Sequence, residues 1–265
     1  MYLADYHTHT QFSPDAHDPM TVMAQAALDA GMDEICFTDH VEPLTWGYNE
    51  LRPPYDWSAL TEDFANVQAA LGDRIHLRLG MEMGDAQKAP AHMKKLLEDA
   101  PQFDFIIGSV HLLSRKYGGA DLYDYVPATA AEAQEALGDY LGEVLALAKL
   151  GGFTVMGHLT LPLRYLNGMR GLSVTFAPYE DQIREVFKKH IQQSPVSELL
   201  WSDKVGYVWL AIGLEPLYAD TCQRMENAEE LCRECLDDIA ADVLFLSGND
   251  HGRHNADPHE KEEIR

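Results

Sequence analysis

Short apolar runs that end on a histidine or a carboxylate recur along this chain, and stretches with helical spacing separate them. The first run, residues 2–8, carries His7 and leads to His9. Residues 34–38 run into Asp39-His40, and 75–81 reach Glu82 at their end. Residues 103–110 stop at His111, and 153–157 stop at His158. A sixth strand is read over 207–214, followed by Glu215, and a seventh over 243–247, with Asn249-Asp250-His251 just past it. Helices are read over 19–30, 57–71, 90–100, 128–150, 179–193 and 227–240, with a polar loop over 41–56. Apolar strands alternating with amphipathic helices make a parallel sheet covered on its outside. Seven such units can close into a barrel or open into a doubly wound sheet. In a barrel every C-terminal strand end meets at one mouth. In an open sheet only the strands near one switch point converge. Ligand-type residues at the strand ends therefore favour an α/β fold: a distorted (β/α)7 barrel with a metal site at the C-terminal ends of its strands. No linker, repeat or low-complexity segment breaks the pattern, so residues 1–265 are read as one domain.

The formal net charge is −23. Such a surface repels phosphodiester backbones and anionic membranes, which argues against nucleic-acid and membrane partners. No apolar run approaches the roughly 18–20 residues that a bilayer span needs. The first residues show neither a basic nor an apolar leader segment, so a cytoplasmic location is expected. Four cysteines in 265 residues do not make a disulfide scaffold. Cys232 and Cys235 form a CxxC, but within a helical run they read as two helix-face cysteines.

On a strand, residues two apart share a face, so His7 and His9 leave the first strand side by side. His7, His9, Asp39, His40, Glu82, His111 and His158, with Asp250 and His251 beyond them, form the candidate ligand set. Imidazoles and carboxylates without thiolate suit zinc, manganese or iron in a hydrolytic site. One ion takes three or four protein ligands, so this set implies two or three divalent ions (Zn, Mn or Fe), with a carboxylate such as Glu82 bridging. Paired ions bring the pKa of a shared water toward neutrality and clamp attacking and leaving oxygens. That chemistry fits a small phosphate ester, which an acidic chain would repel unless cations drew it in.

Five segments together resemble the histidinol-phosphate phosphatases of the PHP (polymerase and histidinol phosphatase) superfamily, over about residues 2–193. They are Asp5-Tyr6-His7-Thr8-His9-Thr10, Phe37-Thr38-Asp39-His40, Gly80-Met81-Glu82-Met83, Ile107-Gly108-Ser109-Val110-His111 and the run from Gly157-His158 to Leu163-Arg164-Tyr165. The resemblance implies a distorted seven-stranded barrel, a trinuclear metal centre and hydrolysis of L-histidinol phosphate to L-histidinol and phosphate. It implies that the histidines and acids above bind or line the metals, with Asp39, His40 and Glu82 carrying the catalysis. Arg164 would contact the substrate phosphate, as a guanidinium can in a bidentate way. Asp15 would face the substrate amine, or else serve as a turn residue.

The last third departs from the family pattern. The Glu-x-Asn-x-Ser-Gly-Leu-Arg stretch of strand six is missing, and Gly213-Leu214-Glu215-Pro216 offers only a Glu. The closing Asp-x-His is replaced by Asn249-Asp250-His251, so the final pair is either Asn249 with His251 or Asp250 with His251. Two other functions stay open at this point: a PHP phosphoesterase for another small phosphate ester or a nucleotide, and a non-catalytic PHP-like domain.

Overall fold

The computed structural model describes residues 2–46 and 50–193, with side chains to His190. The strands expected at 207–214 and 243–247, the helix at 227–240, and Asp250 and His251 lie outside the described residues.

The central strand, β4 in chain order, is His76–Gly84. Its side chains alternate. Leu77, Leu79, Met81 and Met83 are buried in the hydrophobic cores on one face. Arg78, Gly80, Glu82 and Gly84 point to the other face. The strand runs past the expected stop, so Glu82 lies inside it with two more residues following. Strand β2 (Glu34–Phe37) pairs with it in parallel from Glu34↔His76 to Phe37↔Leu79. After Thr38-Asp39 the chain returns as β3 (His40–Val41), pairing His40↔Glu82 and Val41↔Met83 in the same register. The two are one strand with a two-residue interruption. The chain expected to enter a polar loop at Val41 instead stays inside, with Glu42 fully buried.

Strand β1 (Ala4–Thr8) pairs in parallel with β2 and slips by one residue between Asp5 and Thr8. On the other side β5 (Phe105–Ser109) pairs with β4, and β6 (Val155–Met156) with β5. Among the described residues these strands all pair in parallel, in the order β1-β2-β4-β5-β6 with β3 also on β4. The result is a half-barrel of parallel strands backed by helices, the arrangement of a distorted (β/α) barrel.

Helix α1 (Met20–Asp29) starts behind Pro19, and Gly31 turns the chain away with φ +78°. Helix α2 (Trp57–Leu71) is capped by the Asp56 carboxylate, which accepts from the Ala59 amide. These two helices lay Met20, Ala24, Leu60 and Val67 over Ile35, Phe37, Leu77 and Leu79. Helix α3 (Pro90–Leu96) has proline in its first turn and ends four residues earlier than expected. Helix α4 (Ala130–Leu150) begins with a reciprocal cap: Thr129 accepts from the Glu132 amide, and Glu132 accepts from the Ala128 amide. Helix α5 (Leu161–Leu163) runs straight into a π-helical turn, Arg164–Met169, that the sequence did not signal. Helix α6 (Glu180–Gln193) packs Ile183, Val186 and Phe187 into a second core with Leu137, Tyr140, Leu141 and Val144 of α4. The helices cover the outside of the sheet, which leaves the inner face and the C-terminal strand ends to polar residues.

Candidate metal centre

The site is built around Glu82, which is fully buried on the inner face of β4. Five histidines from four segments reach its carboxylate. Their nearest nitrogens lie at 2.9 Å (His7 Nε2), 3.0 Å (His9 Nε2), 3.5 Å (His40 Nδ1), 3.2 Å (His111 Nε2) and 2.9 Å (His158 Nε2). His7 and His9 contact Oε2, while His111 and His158 contact Oε1. The two oxygens therefore face different imidazole pairs.

The local fold explains each position. His40 is the register partner of Glu82. His111 lies two residues past β5, and its main-chain amide donates to both oxygens of buried Asp85 at 3.3 Å. His158 lies two residues past β6, and its carbonyl accepts from the Tyr140 hydroxyl at 3.3 Å. His7 sits where β1 slips register, and its amide, freed from the ladder there, donates to the Asp5 side chain at 3.0 Å. His7 and His9 thus emerge together, with ring centroids 5.2 Å apart.

Asp15 joins this cluster. Its carboxylate lies 3.2 Å from His9 Nδ1 and 3.4 Å from His40 Nε2. These contacts place Asp15 beside the candidate ligands His9 and His40. Three donor groups arise, each with its ligand atoms within 4.8 Å of one another: His7–Glu82–His158, His9–Asp15–His40 and His40–Glu82–His111. Asp39 is buried but does not join them. Its carboxylate accepts from the Thr10 amide at 2.6 Å, the Thr10 hydroxyl at 2.8 Å and the Ser13 hydroxyl at 2.8 Å. It ties down the turn that carries Asp15. Arg164 opens the π-helical turn six residues after His158, exposed and with its guanidinium 5.8 Å from the Tyr165 ring. Burial raises the Tyr165 hydroxyl, and the Arg164 guanidinium beside it opposes that.

Two buried carboxylates were not expected. Glu42 reaches 2.8 Å from His40 Nδ1 and 3.6 Å from His111 Nδ1. Asp85, in a left-handed backbone conformation at φ 50°, supports the His111 segment. The sequence signal for each was slight: an acid two residues past His40, and one three residues past Glu82. Trp46 packs edge-on to the rings of His40 and His111, with centroids at 4.8 and 5.8 Å.

Burial alone would raise the Glu82 carboxyl, but His40 and the hydrogen-bonding histidines hold it well below the usual carboxylate range. Burial would lower His9, and the neighbouring Asp15 and Glu82 reverse this, raising it to about 10. His111 is likewise pulled well above its ordinary value by Glu42 and Glu82 against its burial. His158 is lowered, mainly by burial. Burial pushes Asp85 up to about 7.

The donor set fits divalent cations. Two ligands on one tetrahedral zinc, each about 2.1 Å from it, stand roughly 3.4 Å apart, close to the 2.9–3.2 Å spacings from Glu82 to His7, His9, His111 and His158. Buried His9 Nε2, His40 Nδ1, His111 Nδ1 and His158 Nδ1 make no hydrogen bond of ordinary geometry. Buried polar atoms left in that state are costly. Five imidazoles and three acids facing one another are better satisfied by shared cations than by one another.

Comparison with known proteins agrees with this geometry. The family model described as the PHP domain matches residues 5–199. A "Probable histidinol-phosphatase" of Deinococcus radiodurans is 34% identical over 170 residues, 62% of this chain and 62% of the relative. A "Histidinol-phosphatase" of Lactococcus lactis subsp. lactis is 30% identical over 193 residues, 69% of this chain and 66% of the relative. The chain spans just under two thirds of the length of these curated relatives. Among solved structures, histidinol phosphate phosphatase from Lactococcus lactis subsp. lactis, complexed with Zn, L-histidinol and phosphate, superposes with TM-score 0.60 and 26% identity, covering 72% of this chain and 70% of that one. A putative histidinol phosphatase from Listeria monocytogenes shares the fold at TM-score 0.59 and 18% identity, over 71% of this chain and 79% of that one.

Proposed function

The chain belongs to the PHP domain family, and from that premise we propose that it is a metal-dependent phosphomonoesterase that hydrolyses L-histidinol phosphate to L-histidinol and phosphate. The observation that carries the reading is the fully buried Glu82 carboxylate with five histidines around it. A buried anion so surrounded is a bridge for cations, and cations are what an acidic chain needs to bind a phosphate ester. The relatives named histidinol-phosphatase, and the Lactococcus lactis structure with Zn, L-histidinol and phosphate, favour this substrate.

In this reading the groups His7–Glu82–His158, His40–Glu82–His111 and His9–Asp15–His40 would hold the ions, with Glu82 common to two of them. Asp250 and His251, outside the described residues, stay in the proposal as further candidate ligands. That the whole of 1–265 forms one such domain, and that zinc, manganese or iron fills it, are parts of the same proposal. Bound divalent ions supply a nucleophilic water at neutral pH and neutralise charge on the phosphate oxygens. The chain's own work is to hold the ions close together, through the shared carboxylate, and to bind the ester. Arg164, exposed in the turn that follows His158, would grip the phosphate; a guanidinium matches two phosphate oxygens at once. Asp39 orients the Thr10–Ser13 turn so that Asp15 faces His9 and His40.

The test is a metal count combined with phosphate release. Two or more ions per chain, with release from L-histidinol phosphate well above that from 5′-nucleotides and an aryl phosphate, is the expected result. A preference for nucleotides would change the substrate, and fewer than two ions would remove the catalytic reading.

A further inference from the structure

Glu42 is fully buried, yet neither carboxylate oxygen makes a hydrogen bond of ordinary geometry among the described residues. Its Oε1 lies 2.8 Å from His40 Nδ1 and 3.6 Å from His111 Nδ1. Its Oε2 faces Arg52 Nη2 at 3.4 Å, and its amide donates to the Tyr55 hydroxyl at 2.9 Å. The chain around it makes room for this contact. A Cβ at Gly84 would fall 2.6 Å from Glu42 Cγ, 2.8 Å from Oε1 and 3.0 Å from His111 Nδ1. Gly84 is two residues past Glu82 on the same strand face, so a side chain there would occupy the space where Glu42 meets His111.

The two histidines serve different parts of the metal centre. His111 presents Nε2 to Glu82 and to His158 Nε2, at 3.2 and 3.4 Å. His40 presents Nε2 to Asp15 at 3.4 Å. Each ring directs Nε2 toward candidate ligands and Nδ1 toward Glu42, with His40 Nδ1 nearer to Glu42 (2.8 Å) than to Glu82 (3.5 Å). A metal-binding imidazole takes its tautomer and orientation from the acceptor on its other nitrogen.

We propose that Glu42 is a shared positioning residue: one buried carboxylate that fixes the rings of His40 and His111 and so sets two metal subsites at once. The proposal rests on the metal-centre reading above. With Nδ1 of both rings carrying the hydrogen, both Nε2 lone pairs are left for cations. Arg52 and Tyr55 hold the Glu42 backbone and its second oxygen, which keeps Oε1 aimed at the rings.

The test uses the full chain loaded with Zn²⁺ and challenged with graded chelator. Glu42→Gln is expected to weaken retention of the ions held through His40 and His111 by on the order of 10–100-fold, the effect typical of a lost partner behind a metal-binding histidine. A neutral amide oxygen accepts more weakly than a carboxylate and lacks the charge that holds both rings. In the zinc-loaded wild type with ¹⁵N-labelled histidine, both rings are expected as the Nδ1–H form, a readout that a merely structural role would not fix. Unchanged zinc retention in Glu42→Gln, or metal on Nδ1 of either ring, would overturn the proposal while leaving the phosphatase reading standing. If Glu42→Gln fails to fold, the ring assignment in the wild type decides alone. A wild-type chain that binds no zinc would overturn both.

Discussion

His40 and Glu82 stand opposite each other in the β3–β4 ladder, and His40 Nδ1 lies 3.5 Å from Glu82 Oε2. Main-chain pairing thus does part of the assembly: the register that aligns Glu34 with His76 also delivers His40 to the bridging carboxylate. The interruption at Thr38-Asp39 does not break this alignment, because the Asp39 carbonyl still accepts from the Glu82 amide at 3.0 Å. A rigid sheet edge is a good base for a site that must hold its ligands to within a fraction of an ångström.

Removing the bridge should stop the chemistry. Glu82→Ala or His9→Ala is expected to lower phosphate release from L-histidinol phosphate by roughly 1,000-fold or more, the equivalent of several kcal/mol of lost charge stabilisation. Far-ultraviolet circular dichroism should show the helices intact. Turnover near that of the wild type in either variant would contradict the role given to Glu82.

Cation binding should also release protons. Without metal, the acids around His9, His40 and His111 raise all three rings, His9 to about 10. Metal ligation requires neutral imidazole, so loading at pH 7 should release protons, His9's among them. Adding Zn²⁺ to weakly buffered, metal-free protein with a pH indicator measures this directly. No acidification would mean that the rings are not the ligands.

The sequence announced some of this and concealed the rest for identifiable reasons. Helix α2 begins and ends where expected, because the Asp56 cap and Gly72 are local signals. His111 and His158 were visible because each follows an apolar run. Glu42 was not, since Val41-Glu42-Pro43 after a histidine looks like the start of an exposed loop. Only the non-local pairing of β3 with β4 keeps it inside. Asp15 was seen, but its partners were not: the turn that aims it is held by Asp39, 24 residues further on. The Arg164–Met169 π-helical turn has no periodic signal of its own, and its packing decides it.

Arg164 should affect substrate binding more than the ions. A charge-assisted hydrogen bond is worth roughly 1.5–3 kcal/mol, so Arg164→Ala is expected to reduce kcat/KM about 10–100-fold with the metal content unchanged. Arg164→Lys should restore little, since an ammonium cannot make the paired contact. Steady-state kinetics beside a metal count separate these outcomes. An unaltered kcat/KM would remove Arg164 from the phosphate site.

A last expectation concerns stability and lies away from the metal centre. His190 on α6 is buried against Phe153, with the rings nearly parallel and their centroids 5.2 Å apart. Burial lowers its pKa to about 4, against about 6.5 in an unfolded chain. Between those values the unfolded state binds a proton that the folded state refuses, so stability rises with pH there. The contribution is fully present above about pH 6.5, is lost as the pH falls, and is gone below about 4; its full size is roughly 3 kcal/mol. Urea denaturation of metal-free protein at pH 7 and pH 5 should show the loss. His190→Leu, which keeps the apolar contact with Phe153 and cannot titrate, should flatten that part of the pH dependence. An equal slope in wild type and variant would show that the ring is protonated in the folded chain.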